Sequence, residues 1–256
     1  MSNPICFALD GMNGAGASRY VEMLEEHVGA FKVGLELFIR TGKLPKTSKP
    51  VILDLKLHDI PETVSRAVAA GCDAGAKFMT LHVQQREALK QAVAVAAPYG
   101  CTLLGVTVLT SMTQQDCEDL RFKGFNTNPE SPGEPRTSHP FIGMRVQHLA
   151  DFGYGCGLRG FVCSPQEVGS LHTKHPDAFY LVPGVRPLGS AVGDQRRTGT
   201  PGGAVIDGAS LIVIGRPIRD AEDPVEAAKA ILAEVREAER TEENARAGAR
   251  ALDRHC

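Results

Sequence analysis

The segment Val51–Ile60, V-I-L-D-L-K-L-H-D-I, sets an ammonium between two carboxylates. Read as a strand with alternating sides, it sends Val51, Leu53, Leu55 and Leu57 to one face and Ile52, Asp54, Lys56 and His58 to the other. Asp59 follows where the strand should end, and Pro61 opens a helix. An edge strand with a solvated Asp/Lys pair would alternate in the same way, so the rest of the chain must decide. If the charged face is enclosed, flanking carboxylates keep Lys56 cationic. It is then a general acid able to deliver a proton. A nucleophilic lysine would instead need desolvation or neighbouring cations to release its proton.

A second group of reactive residue types lies near the end of the chain. P-G-V-R at Pro183–Arg186, G-D-Q-R-R at Gly193–Arg197 and I-G-R-P at Ile214–Pro217 combine glycines with guanidinium groups. Glycine permits close backbone approach, and arginine donates paired hydrogen bonds to phosphate oxygens; the bland alternative is a set of Gly-rich turns with solvated arginines. His82, in T-L-H-V, reads equally as a hydrogen-bonded strand residue or a ligand. The remaining histidines lack H-E-x-x-H or Cys/His spacing, so no metal site is expected. There is no G-x-S-x-G nucleophile motif, and G-M-N-G-A-G at Gly11–Gly16 lacks dinucleotide-binding spacing.

These residues must be positioned by a regular alternation of strands and helices. The expected strands are Ile5–Leu9, Phe31–Leu35, the Val51 segment, Lys77–Val83, Thr102–Leu109, Arg159–Cys163, Ala178–Val182 and Leu211–Gly215. Between them helices are expected from an N-cap at Ser18 to about His27, at Pro61–Cys72, Arg86–Ala97, about Phe141–Phe152, Pro165–Lys174 and Pro201–Asp207, with Pro224–Val235 last. The Gly42–Lys49 connection leaves room for only a brief helix, and Asn126–Ser138, rich in Pro, Gly and small polar residues, reads as an exposed insertion. Beyond Val235 the chain is highly charged, a helical extension or frayed tail.

Eight such units without a composition break predict a single-domain α/β fold, a closed (β/α)8 TIM barrel, over an open doubly wound sheet, whose nucleotide fingerprint is missing. The barrel is expected over residues 1–240 with its insertion at about 123–139, and the charged extension over 241–256. Inward residues at the C-terminal ends of barrel strands form the active site. Asp10, Lys32, Asp54, Lys56 and Asp59 then converge on one mouth, and the loops after strands seven and eight lie at the usual phosphate-binding place. Isolated buried ions are costly, so such a cluster is expected to pair or to serve a task.

Composition narrows the class. A formal net charge of −2 over 256 residues gives no basic field for nucleic acid or an anionic membrane. No stretch reaches the length of a membrane span, and the N-terminus lacks a secretory pattern. The seven scattered cysteines contain no C-x-x-C pair, which fits a reducing, cytoplasmic setting.

D-L-K-L-H-D-I-P-E-T-V matches the Asp-x-Lys-x-x-Asp-Ile/Pro core of the orotidine 5'-phosphate decarboxylase family. F-A-L-D, F-K-V-G-L-E-L-F, V-T-V-L-T-S-M, V-P-G-V-R-P-L-G-S, G-D-Q-R-R and V-I-G-R-P-I resemble its other blocks, in the same order, over about residues 5–235. The resemblance implies a homodimeric barrel that removes the carboxylate of orotidine 5'-monophosphate without cofactor or metal, giving uridine 5'-monophosphate in pyrimidine biosynthesis. By family pattern, Asp10 contacts ribose, Lys32 and Asp54 belong to the charged array, and Lys56 delivers the proton. Asp59 reaches into the partner's site to bond ribose, and Ile60, Thr63 and Pro183 join the substrate-binding set. Thr110 or Ser111 meets the pyrimidine, Gln195 links base and phosphate, and Arg186, Gly215 and Arg216 bind the phosphate. The chemistry suits such an array: losing carbon dioxide leaves charge on a ring carbon, which a fixed ammonium stabilises most in the transition state.

The chain departs from the family pattern at Q-Q-R-E after L-H-V, in its short second helix, and in the Asn126–Ser138 insertion. Two rival functions make different predictions. The related Mg²⁺-dependent 3-keto-gulonate-6-phosphate decarboxylases and hexulose-phosphate synthases share Asp-x-Lys-x-x-Asp, and chelation would abolish their activity. A non-catalytic nucleotide-binding barrel would bind without turnover, but binding alone would not maintain so costly a charge cluster.

Overall fold

The protein, a computed structural model, is described over residues 3–120, 140–187 and 198–253. Its strands are β1 (Ile5–Ala8), β2 (Ala30–Gly34), β3 (Val51–Leu57), β4 (Phe78–His82), β5 (Thr102–Val106), β6 (Gly160–Val162), β7 (Phe179–Val182) and β8 (Leu211–Ile214). Each pairs in parallel with the next, and β8 closes on β1, Cys6 lying opposite Val213. Helices α1 (Gly14–Leu24), α2 (Leu35–Thr41), α3 (Pro61–Asp73) and α4 (Arg86–Ala96) surround the first half. Around the second half lie α5 (Gln114–Asp119), α6 (Pro140–Gly155), α7 (Val168–Lys174), α8 (Pro201–Ile206), α9 (Arg216–Arg219) and α10 (Pro224–Asp253). The arrangement is the expected (β/α)8 barrel.

Strand alternation divides the apolar residues between two cores. Cys6, Ala8, Ala30, Ile52, Phe78 and Leu104 point into the barrel. Ile5, Phe7, Phe31, Val33 and Leu53 point outward, into the layer shared with Val64 and Val68 of α3 and Leu89 of α4. Because both faces are covered, these strands are largely apolar on both sides. Charged residues on their inner faces therefore stand out.

Several boundaries differ from those expected. α1 starts four residues before Ser18, because Asn13 accepts a hydrogen bond from the Gly16 N–H and so caps it. The second helix is not in the 42–49 connection but begins at Leu35, directly after β2, and ends at Gly42 with φ +62°. β5 stops at Val106, short of Leu109, while the short helices α5 and α9 were not anticipated. α10 continues far past Val235, with an ion pair between Arg246 and Glu242 at 2.7 Å and another between Arg240 and Glu237. At Gly202 of α8 an added Cβ would lie 2.5 Å from Ala238 Cβ, so the start of that extension is packed closely against the barrel. The insertion lies outside the described residues. Among those residues no helix is long and apolar enough to cross a membrane, and the six cysteines are buried and unbridged.

Candidate active site

Pairing of neighbouring strands brings the charged residues together. Lys32 lies opposite Ala8 of β1 and Ile52 of β3, and Gly34 lies opposite Asp54. Lys32 Nζ is 2.7 Å from Asp10 Oδ2 and 3.3 Å from Asp54 Oδ2. Lys56 Nζ is 2.8 Å from each oxygen of Asp54. The result is a chain of alternating charge, Asp10, Lys32, Asp54, Lys56. Gly34 is what admits Asp10, since a Cβ there would stand 2.2 Å from Asp10 Oδ1.

The inner members of this chain are the costly ones. The side chains of Lys32 and Asp54 are 8% and 11% exposed, against 52% for Asp10 and 31% for Lys56 at the mouth. Burial alone would drive Lys32 toward its neutral form, but Asp54 and Asp10 outweigh it and hold the ammonium above the usual lysine range. Burial likewise favours protonated Asp54, and Lys32, Lys56 and the Thr80 hydroxyl together hold the carboxyl below the usual carboxylate range. Each charge is tolerated because its neighbours are present.

Lys56 reaches this place by an irregular backbone. The β3–β4 register runs from Leu53 opposite Met79 to Leu57 opposite Leu81, with a bulge between, and Lys56 has φ +50°. For a residue with a Cβ this left-handed conformation costs roughly 1–2 kcal/mol. Among the described residues it is the sole non-glycine with positive φ. Thr80 Oγ1 donates to Asp54 Oδ1 and accepts from the Lys56 N–H, both at 2.9 Å.

A cavity of about 450 Å³ opens above the array. Besides the four charged residues it is lined by Val108, Leu109 and Thr110 after β5, by Val162 and Leu181, and by Pro183, Arg186, Gly215, Arg216 and Arg219 after β7 and β8. Its chemistry is therefore divided: a charged array on the β1–β3 side, an apolar slot across β5–β7, and guanidinium groups beyond. Arg186 is held at the root of its loop, its N–H donating to Gly199 O at 2.9 Å and its Nη1 to Val185 O at 2.8 Å. At Gly215 an added Cβ would meet only Ala8, its Cβ at an ordinary 3.5 Å and its carbonyl oxygen at 4.0 Å. Protein packing does not demand that glycine, and its open side belongs to the cavity.

Ser111 is exposed and does not line the cavity, whereas Thr110 does. Asp59, Ile60 and Thr63 lie outside it, on the exposed rim where α3 begins, and Asp59 Oδ1 accepts from the Ile60 N–H at 2.7 Å. Gln195 lies outside the described residues. His82 does not reach the cavity; its ring sits 5.5 Å from that of His58, and burial, then His58 and Lys56, hold it below the usual histidine range.

Two residues of the site went unread in the sequence. Thr80 had one signal, a polar side chain at an inward position of F-M-T-L-H. Arg219, which donates from Nη1 to Asp10 O at 3.0 Å, had none beyond its nearness to the G-R-P motif.

The chain matches the model of the "Orotidine 5'-phosphate decarboxylase / HUMPS family" over residues 3–131 and 139–231. It is 39% identical over 236 residues to the orotidine 5'-phosphate decarboxylase of Erythrobacter litoralis, an alignment covering 90% of this chain and 98% of that one. To the orotidine 5'-phosphate decarboxylase of Anaeromyxobacter sp. (strain K) it is 42% identical over 239 residues, covering 91% and 98%. The crystal structure of the Lactobacillus acidophilus orotidine 5'-phosphate decarboxylase superposes with a TM-score of 0.71 at 30% identity, over 91% of this chain and 99% of that one.

Proposed function

The chain belongs to the orotidine 5'-phosphate decarboxylase / HUMPS family, and we infer from that membership and from the barrel mouth that Lys56 protonates the ring carbon vacated by carbon dioxide. The enzyme is a carboxy-lyase of pyrimidine nucleotide biosynthesis, converting orotidine 5'-monophosphate to uridine 5'-monophosphate and carbon dioxide. The observation that carries the site assignment is the Lys56 ammonium, fixed 2.8 Å from both Asp54 oxygens at the floor of the cavity.

In this reading the C6–carboxylate bond breaks, carbon dioxide departs, and the bonding pair remains on C6. Lys56 Nζ gives a proton to that carbon, and solvent later returns one to the amine. The ammonium is already oriented, so little reorganisation is needed as charge develops. Asp54 and Lys32 hold the donor in place, and Asp10 faces the ribose. The pyrimidine occupies the apolar slot beside Thr110 and Pro183. Arg186, Arg216 and the space at Gly215 take the phosphate, with Gln195 linking it to the base.

The site is completed by a second copy of the chain. Asp59, Ile60 and Thr63 are exposed on the rim, and Ile60 leaves 62% of its surface uncovered. We assign these three residues to the partner's site in a homodimer. The buried, unbridged cysteines fit a reducing cytoplasm, which cell fractionation reads directly.

The test is turnover of orotidine 5'-monophosphate in EDTA, followed by loss of orotate absorbance, beside the nucleoside orotidine. Rapid conversion of the nucleotide with poor conversion of the nucleoside is expected. Loss of activity in EDTA with recovery on adding Mg²⁺ would favour the metal-dependent branch of the family, and equal rates for nucleotide and nucleoside would remove the phosphate assignment.

A further inference from the structure

We propose that Thr80 is a positioning residue for the decarboxylation: its hydroxyl fixes the left-handed turn of β3 and so sets where the Lys56 ammonium meets the substrate. The inference rests on the reading of Lys56 as proton donor. Register provides the first argument. Between the Leu53–Met79 and Leu57–Leu81 pairs, the segment Asp54–Leu55–Lys56 faces Thr80 alone on β4. The ladder therefore has too few backbone partners at this point, and the Thr80 side chain supplies the missing one by accepting the Lys56 N–H at 2.9 Å.

The direction of the hydrogen bonds is fixed by chemistry. A backbone N–H can only donate and an ionised carboxylate can only accept. The single hydroxyl proton of Thr80 must then point to Asp54 Oδ1, 2.9 Å away. One oxygen thus ties the backbone of the proton donor to the carboxylate that holds its side chain. Thr80 is fully buried, at 0% exposure, so water cannot stand in for it. A residue with a Cβ remains at φ +50° only where its surroundings over-determine that conformation. Without the hydroxyl, the Lys56 N–H loses its acceptor and Asp54 its neutral donor, and the turn can relax toward the ordinary strand.

Thr80→Val removes the hydroxyl and keeps the branched shape, while Thr80→Ser keeps the hydroxyl. The expected result for Thr80→Val is a fall in kcat of roughly 10- to 100-fold. Its affinity for uridine 5'-monophosphate should be unchanged, since Thr110, Arg186 and Arg216 lie on other strands' loops. Thr80→Ser should recover most of the lost kcat. Wild-type kcat in Thr80→Val, or equal losses in both variants, would overturn the inference. If the valine variant does not fold, Thr80→Ala against Thr80→Ser makes the same comparison. An inactive wild type would refute the reaction, not this assignment. The crystal structure of Thr80→Val then decides: a shift of the Lys56 backbone out of positive φ is expected, and an unmoved Lys56 would overturn the role.

Discussion

Asp54 sets one carboxylate against two ammonium groups, 3.3 Å from Lys32 Nζ and 2.8 Å from Lys56 Nζ, with little access to water. The linkage between charge and folding has a definite sign for each partner. Asp54 titrates lower in the folded chain than in the unfolded one. Its stabilising contribution is complete above the unfolded carboxylate range, about pH 4, and is lost as pH falls through the lower folded value. Lys32 titrates higher when folded, so its contribution is complete below about pH 10 and is lost only as pH rises through the folded value. Across neutral pH both are at full strength. Asp54→Asn should then cost about 3–5 kcal/mol at pH 7, because it leaves Lys32 and Lys56 without their shared partner. In denaturant unfolding the deficit should shrink as pH falls below about 4. A deficit that stayed constant into acid would show that Asp54 stabilises by shape and not by charge. The charged members of the site were legible because charge on the inner face of a buried strand has no bland explanation once the barrel is recognised. Thr80 was not, because threonine is at home in strands whether or not its hydroxyl has a task.

At the level of elements, period-two alternation was the most readable signal, and it assigned Ile52, Asp54 and Lys56 to one side of β3 and Leu53 to the other. The bulge that actually delivers Lys56 was invisible, since a lysine at positive φ leaves no mark in composition. The passage from β2 to α2 is hard to read for a related reason. L-E-L-F-I-R-T is apolar enough to continue a strand, and only Gly34 against Asp10 and Gly42 at the helix end define the boundary. α9 is four residues long, too short for any helical period to register. Beyond Val235, the part of α10 that reads as extension or frayed tail offers few apolar residues to bury. Its pairs, such as Arg246 with Glu242, add roughly 0.2–0.5 kcal/mol each. The contact of Ala238 with Gly202 anchors its first part against α8.

For the whole molecule, the closed sheet provides a rigid frame on which eight strand ends meet at one mouth. The mouth of one chain lacks Asp59, which faces solvent on the rim. The shared-site proposal has a specific consequence. Lys56→Ala and Asp59→Ala should each be inactive alone, and mixing them should restore activity. In the mixed dimer one site receives both defects and the other receives neither. Subunit exchange can be confirmed by mass spectrometry. Exchange without recovered turnover would contradict the shared site, even if the protein is a dimer.

The central claim is that the Lys56 ammonium supplies the proton that follows carbon dioxide. It is tested most directly by kcat for orotidine 5'-monophosphate in Lys56→Ala beside the wild type, with uridine 5'-monophosphate affinity measured on the same samples. Asp54 retains Lys32 at 3.3 Å in that variant's parent geometry, so the fold and the nucleotide site should persist. Turnover should fall by roughly 10³-fold or more with product affinity retained. Wild-type kcat in Lys56→Ala would contradict the mechanism outright.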